Sequence, residues 1–233
     1  RRSSDLIRQL SYDRPGYADS DPQPGRSVRD AVDDIEAILD AAGVERAAFV
    51  GTSGGGAHAL AVATLLAPRA TLVHCNVGTA PRLLMGSDEA FFEGMDPENV
   101  RRFQAVEQTR EQAHEALGGD IERMLAAARS DPMAIKGKMQ IPQADLEVHR
   151  RTAASYAAVF LESFRPGYWG FIDDFSALAR DWGFDPREAK APVIVEYGVH
   201  DVNVPAGHGR WLAENIPGAR AIVNQEGGHR SMP

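Results

Sequence analysis

One stretch limits what this chain can become more than any other: Ala47-Ala48-Phe49-Val50-Gly51-Thr52-Ser53-Gly54-Gly55-Gly56-Ala57-His58-Ala59-Leu60-Ala61. A short apolar run ends in glycine, a serine follows two residues on, more glycines come next, and an alanine- and leucine-rich segment with helical spacing completes it. The pattern predicts strand, sharp turn, helix. A serine at the tip of so tight a turn needs neighbours without a Cβ, and Gly51 and Gly55 stand where crowding is expected. Such a turn exposes the Ser53 hydroxyl at the carboxyl edge of a sheet. It also aims the Gly54 N–H, at a helix N-terminus, toward any negative oxygen formed there. This is a seat for a nucleophile.

Other readings of the same residues are weaker. G-x-S-x-G also occurs in ordinary loops. Gly54-Gly55-Gly56-Ala57-His58-Ala59 fits a dinucleotide fingerprint, but that site wants an acidic residue about 20 positions on to bind ribose. No Asp or Glu lies between Ser53 and Asp88. A phosphate-binding P-loop needs a lysine that the segment lacks, the first in the chain being Lys136.

Upstream, Leu6 to Ser11 reads as a short strand running into the turn Asp13-Arg14-Pro15-Gly16-Tyr17. Ser27 is an N-cap with Asp30 three residues later, and Val28, Val32, Ile35 and Leu39 recur at helical spacing up to Gly43. Downstream, Ala57 to Leu66 suits a helix buried against a sheet, and Thr71 to Val77 a second strand. The alternation implies an α/β fold, a mainly parallel sheet with flanking helices. From Arg82 to Pro186 no strand pattern appears. Val100 to Leu117, Ile121 to Ala128, Ala144 to Phe164 and Phe171 to Trp182 read as helices, an all-helical insert over 82–186 between core segments 1–81 and 187–233. The insert holds most of the aromatics; Phe160, Trp169 and Phe171 are the candidates to line an apolar substrate pocket beneath it. Strand pattern returns at Pro192 to Gly198, a short helix follows over His208 to Asn215, and a last strand over Ala221 to Asn224 leads to Gly227-Gly228-His229.

Serine attacks poorly at neutral pH unless a base takes its proton, usually an imidazole oriented by a carboxylate. Ser53, Asp201 and His229 each occupy a loop after a predicted strand, and in a parallel sheet such loops emerge on one edge. The chain order Ser, Asp, His is that of the α/β-hydrolases. His200 and His208 read as rim or loop residues, His58 and His74 as core. Asp173-Asp174 reads as a helix cap or, alternatively, a cation-steering pair. No cluster has metal-ligand spacing, so neither metal nor cofactor is expected.

With Asp13-Arg14-Pro15-Gly16-Tyr17, Gly51-Thr52-Ser53-Gly54-Gly55, Gly198-Val199-His200-Asp201-Val202-Asn203-Val204-Pro205 and Gly227-Gly228-His229 in hand, the chain resembles an α/β-hydrolase with a helical cap, similar to the serine esterase, lactonase and peptidase-like members. The resemblance implies Ser53 as nucleophile, His229 as base and then acid, Asp201 as its orienting partner, and Gly54 as one oxyanion donor. Relatives that dehalogenate alkanes or open epoxides carry aspartate at the Ser53 position, and aminopeptidase-like ones usually carry tryptophan at Gly54. Cleavage of a small, largely apolar carboxylic ester or lactone is therefore the expected reaction. C–C bond hydrolysis, peptidase or lyase chemistry on the same triad, or ligand binding without catalysis, are the alternatives.

In that family the second oxyanion donor comes from a His-Gly loop after the third strand, whereas Asp13-Arg14-Pro15-Gly16 matches the loop after the fourth. The resemblance thus places three strands, that loop and a final helix outside the sequence, which opens Arg1-Arg2 without methionine. Losing one oxyanion donor costs about 10²- to 10³-fold in kcat, so weak turnover is expected of residues 1–233 alone. The third strand's absence would leave the elbow strand beside a gap of roughly 5 Å or force it to pair with the 6–11 strand.

Composition weighs against two classes of partner and leaves the small-molecule substrate that the resemblance implies. A net charge of −8, from 25 Lys and Arg against 33 Asp and Glu, opposes a nucleic-acid partner. No apolar stretch has membrane-spanning length. A lone cysteine, Cys75, points to a reducing, cytoplasmic setting.

Overall fold

The structure, a computed structural model, describes residues 7–137 and 139–230. Its centre is a four-stranded parallel sheet in the order β1 (Ala47–Thr52), β2 (Ala70–Asn76), β3 (Val193–Gly198), β4 (Arg220–Asn224). Spatial and sequence order coincide, so each connection carries the chain back over the sheet before the next strand begins. Helix α1 (Ala31–Ala41) precedes β1 and grows from the predicted start signal: Asp30 Oδ2 accepts from the Ser27 N–H at 2.6 Å. Helix α2 (Gly54–Leu65) joins β1 to β2 and is buried on every side from Gly56 to Thr64, as an all-apolar helix must be. Helix α8 (Ala206–Asn215) joins β3 to β4. Leu60, Val62, Val73, Val195 and Leu212 are fully buried in the shared core.

β1 lies at the sheet edge, and the expected strand beside it is not there. Residues 7–11 form none, and Leu6 is outside the described residues. Ala48, Val50 and Thr52 are left exposed on β1, Val50 by 70%, whereas the inner strand β3 is buried almost throughout.

Between β2 and β3 the chain makes an all-helical cap: α3 (Asp88–Phe92), α4 (Pro97–Ala105), α5 (Arg110–Ser130), α6 (Gln143–Ser163) and α7 (Trp169–Ala179). The helix expected over Val100 to Leu117 is broken at residues 106–109. There Thr109 Oγ1 accepts from Gln112 N while Gln112 Oε1 accepts from Thr109 N, both at 3.2 Å, a reciprocal cap that starts α5. The break expected near Gly118 does not occur. A Cβ there would stand 2.4 Å from the Tyr168 hydroxyl, so this glycine serves close packing inside a helix. Phe91, Phe103 and Phe175 meet edge-on at 5.0–5.2 Å and form the cap's own core.

Cap and sheet are tied together by buried charge. Asp173 and Asp174 sit inside α7 rather than at its start, where Tyr168 is the cap residue. Arg110 holds Asp173 with two bonds of 2.7 and 2.9 Å. Asp174 takes Arg14, the Tyr17 hydroxyl at 3.0 Å and Arg26 at 2.7 Å. The same contact brings Gly16 against Gly170 so closely that a Cβ on either would lie within 2.8 Å of the other's backbone. The 13–17 turn is thereby locked onto α7. Burial alone would raise the Asp174 carboxyl, but Arg14 and Arg26 beside it hold it well below the usual carboxylate range.

Removing one partner of a buried ion cluster leaves the others uncompensated, so Asp174→Asn should destabilise the fold by about 3 kcal/mol or more in urea unfolding. A carboxyl depressed in the folded state stabilises above its unfolded value, near pH 4, and less as pH falls through its folded one. The gap between wild type and variant should accordingly shrink below about pH 4; a pH-independent gap would mean that the charge is not what binds α7.

Candidate active site

β1 ends at Thr52, and Ser53 turns the chain into α2 with φ 56° and ψ −129°. A non-glycine residue in this region is strained by about 1–3 kcal/mol and persists only where its surroundings hold it. They do: Ser53 N–H donates to Asn76 O on the neighbouring strand at 3.0 Å, and Gly56 N–H to Ser53 O at 2.8 Å. A Cβ on Gly51 would lie 2.1 Å from the Gly55 carbonyl oxygen, so Gly51 is required as expected. Gly55 is not: a Cβ there would find its nearest neighbour, Arg14 Nη1, at 3.9 Å. The second crowded position is Gly56, whose Cβ would stand 2.7 Å from Gly78 Cα and 2.8 Å from Cys75 Sγ. The crowding comes from the end of β2, where Val77 has a positive φ of 43°, a second strained residue beside the first. Gly54 opens α2, where the first N–H groups have no acceptor within the helix.

All strands are parallel, so the loops after β1, β3 and β4 emerge on one edge, and these carry Ser53, Asp201 and His229 respectively. Asp201 has a fully buried side chain. Its Oδ1 accepts from the Asn203 and Val204 N–H groups at 2.8 and 2.9 Å, and its Oδ2 lies 2.7 Å from His229 Nδ1. A carboxylate only accepts, so Nδ1 carries the proton and the Nε2 lone pair is left free to act as a base. The loop after β4 folds back across the end of β3, the His200 N–H donating to Gly227 O at 2.9 Å, and so carries His229 toward the β1 side of the sheet.

Asp145 in α6, which no pattern in the sequence marked, fastens this loop to the cap. Its carboxylate accepts from the His229 and Arg230 N–H groups, both at 2.8 Å. The fit requires Gly228, whose Cβ would stand 2.7 Å from that carboxyl. The Arg230 guanidinium reaches His149 Nδ1 at 3.1 Å and covers the Tyr156 ring at 4.2 Å.

The other histidines and the cysteine are not placed as bases or nucleophiles. His58 is buried, and its Nδ1–H meets Gly54 O at 2.9 Å; burial pushes its pKa down to about 4. His208, expected at the rim where a short helix begins, is instead buried within α8. It accepts from the Ala80 N–H at 3.2 Å, lies 2.9 Å from Phe91 O, and is pushed by burial to about 4. His74, expected in the core, is partly exposed beside Glu196 at 2.7 Å. His200 is exposed on the rim. Burial pushes the Cys75 thiol up to about 12. No group of three or more potential metal ligands occurs among the described residues.

Of the three aromatic candidates, Phe160 and Phe171 both pack on Phe164, at 4.3 and 5.8 Å. Trp169 stands apart, with the His114 ring at 3.9 Å and the Arg110 guanidinium 4.0 Å from its centroid. A cleft of about 890 Å³ opens elsewhere, along the Asp201 loop, lined by Glu93, Gln143, His200, Asp201, Arg210 and Glu226.

Residues 8–232 match the family model described as alpha/beta hydrolase fold. No curated protein matches. Among solved structures, a hydrolase from Pseudomonas aeruginosa shares 23% identity over 93% of this chain and 70% of its own, with a TM-score of 0.61. The enol-lactonase from Burkholderia xenovorans shares 22% over 89% and 68%, TM-score 0.58. An esterase from Exiguobacterium antarcticum shares 17% over 92% and 71%, TM-score 0.60. At these identities the likeness is one of fold. No helix of the described residues is long and apolar enough to cross a membrane.

Two outcomes follow from the packing. Gly55→Ala should keep or raise the melting temperature, by up to about 1 kcal/mol of helix propensity, while Gly51→Ala and Gly56→Ala should each lower it sharply; the reverse order would refute the assignment of the crowded positions. Asp145→Asn should accelerate amide exchange at His229 and Arg230 by about 10- to 100-fold, because one charge-assisted bond is lost; unchanged exchange would show the loop to be held by other contacts.

Proposed function

This chain belongs to the α/β-hydrolase family, and from that premise we propose that it is a serine hydrolase cleaving a small carboxylic ester or lactone with a largely apolar body through an acyl-enzyme. The observation that carries the reading is the Asp201–His229 pair, a fully buried carboxylate 2.7 Å from an imidazole on the sheet edge where Ser53 is held in a strained turn.

In this reading the Ser53 Oγ attacks the carbonyl carbon while His229 Nε2 takes its proton. Charge that builds on the carbonyl oxygen is met by the Gly54 N–H at the start of α2. Asp201 holds the imidazole in the tautomer that frees Nε2 and stabilises the imidazolium once it forms. The imidazolium then protonates the leaving alkoxide, the C–O bond breaks, and the acyl group stays on Ser53. Water attacks that ester with His229 again taking the proton, and the acid is released as Ser53 is reprotonated. In a lactone the leaving alkoxide is tethered, so one hydroxy acid is the product. The cap's aromatic residues, Phe160 and Phe171 among them, supply the apolar surroundings proposed for the acyl body.

A fluorophosphonate probe followed by peptide mass spectrometry tests this directly. One adduct is expected, on Ser53, absent in Ser53→Ala and formed about 10³- to 10⁴-fold more slowly in His229→Ala. Labelling that survives Ser53→Ala, or is indifferent to His229, would sink the proposal.

A further inference from the structure

Arg102, in α4, is about nine-tenths buried, yet among the described residues its guanidinium pairs with no carboxylate. Its contacts are sulfur, Met139 Sδ at 3.1 Å and Met124 Sδ at 3.4 Å, and the Phe171 ring at 5.7 Å. A guanidinium is among the last groups a protein leaves buried without a counter-charge, since it cannot shed its proton. Arg102 also lines a cavity of about 270 Å³ together with Met124, Met139, the half-buried Lys136 and the carboxylates Glu98 and Asp120.

The acids near this cavity are already engaged. Asp120 is paired with Arg101 and Arg123, and Glu98 with Arg101 at 3.1 Å. Asp96 accepts from the Glu98 and Gln140 N–H groups at 2.9 and 2.8 Å. Asp145 takes the two amides of the His229 loop. Asp201, which acts on Lys136 as Asp145 does, is held by the Asn203 and Val204 N–H groups and by His229. Burial and the neighbouring Arg230 and Arg102 push Lys136 down to about 8, and Asp145 and Asp201 oppose that shift. Phe171, which Arg102 faces, lies on α7, whose Leu178 reaches the elbow at Gly54.

We propose that Arg102 and Lys136 form an anion subsite in the cap that takes a carboxylate carried by the substrate, so that the ester or lactone has an apolar body ending in a second, ionised carboxyl group. The proposal rests on the serine hydrolase reading and names its substrate class. The planar guanidinium fork matches a carboxylate.

The test uses the intact protein carrying Ser53→Ala, which binds without turnover, and calorimetry with monomethyl glutarate and its neutral dimethyl ester. The anion is expected to bind about 10- to 100-fold more tightly, an advantage lost in Arg102→Met and reduced in Lys136→Met. Equal affinity for the two ligands, or an advantage that survives Arg102→Met, overturns the subsite. In the active protein, the ratio of kcat/KM for p-nitrophenyl hydrogen glutarate over p-nitrophenyl butyrate should fall about tenfold or more in Arg102→Met. A merely structural role would lower both substrates alike and leave the ratio unchanged, which also overturns the proposal. If Arg102→Met fails to fold, Lys136→Met and the preference of the Ser53→Ala protein decide the question. Phosphonate labelling of Ser53 without any preference for the anion defeats the subsite alone; anion binding without labelling defeats the hydrolase reading and leaves a carboxylate-binding protein.

Discussion

Everything at the carboxyl edge of the sheet depends on the backbone at Ser53 being held where a side chain is unwelcome. A φ of 56° is maintained because β1, α2 and the end of β2 approach one another closely enough to leave the turn no alternative. Gly51 and Gly56 make the approach possible, and Val77 and Gly78 complete it from the next strand. The strain is modest, about 1–3 kcal/mol, beside the apolar packing of a helix buried from Gly56 to Thr64. The Ser53 backbone is therefore fixed by the core.

Buried charge, rather than apolar contact alone, joins the remaining parts. Successive residues on a helix point about 100° apart, so Asp173 and Asp174 address different neighbours. Asp173 binds Arg110 of α5 inside the cap, and Asp174 binds Arg14 and Arg26 of the core. A single turn of α7 thus belongs to both layers. Asp145 does the same work for α6, holding the loop whose imidazole is fixed from its other side by Asp201.

Local patterns made much of this legible. The strands at 70–76, 193–198 and 220–224, the helix that follows the elbow, and the start of α1 at Ser27 and Asp30 all followed from period and capping chemistry. That Ser53, Asp201 and His229 lie in loops on one sheet edge was legible because each loop follows a strand, and parallel strands share an edge. What escaped depends on partners distant in sequence. Gly55 and Gly56 are adjacent and look alike, and only the approach of Gly78 and Cys75 distinguishes them. The aspartates of α7 resembled a cap because their arginines lie 63 to 160 residues away. Asp145 sits in a helix whose polar residues are otherwise unremarkable in spacing, and its acceptors' partners are backbone amides more than 80 residues on. The strand expected at 6–11 had apolar residues but too little alternation to hold a ladder, and Ile7 is 91% exposed.

The same polar fasteners bear on how the cap can move. A cap held only by apolar surface could slide, since such contacts are non-directional. One fixed by carboxylates that each accept two or more directed bonds has few alternative seats, because a shift of one ångström breaks several bonds together and strands the charge. Asp145 bonds the backbone of His229 itself, so a displacement of α6 is also a displacement of the imidazole. Arg102 differs from these groups: it is buried in the same helical layer, but sulfur and an aromatic ring surround it where the others have their partners. The structural carboxylates are held by directed bonds, and among the described residues the Arg102 guanidinium has no such carboxylate partner.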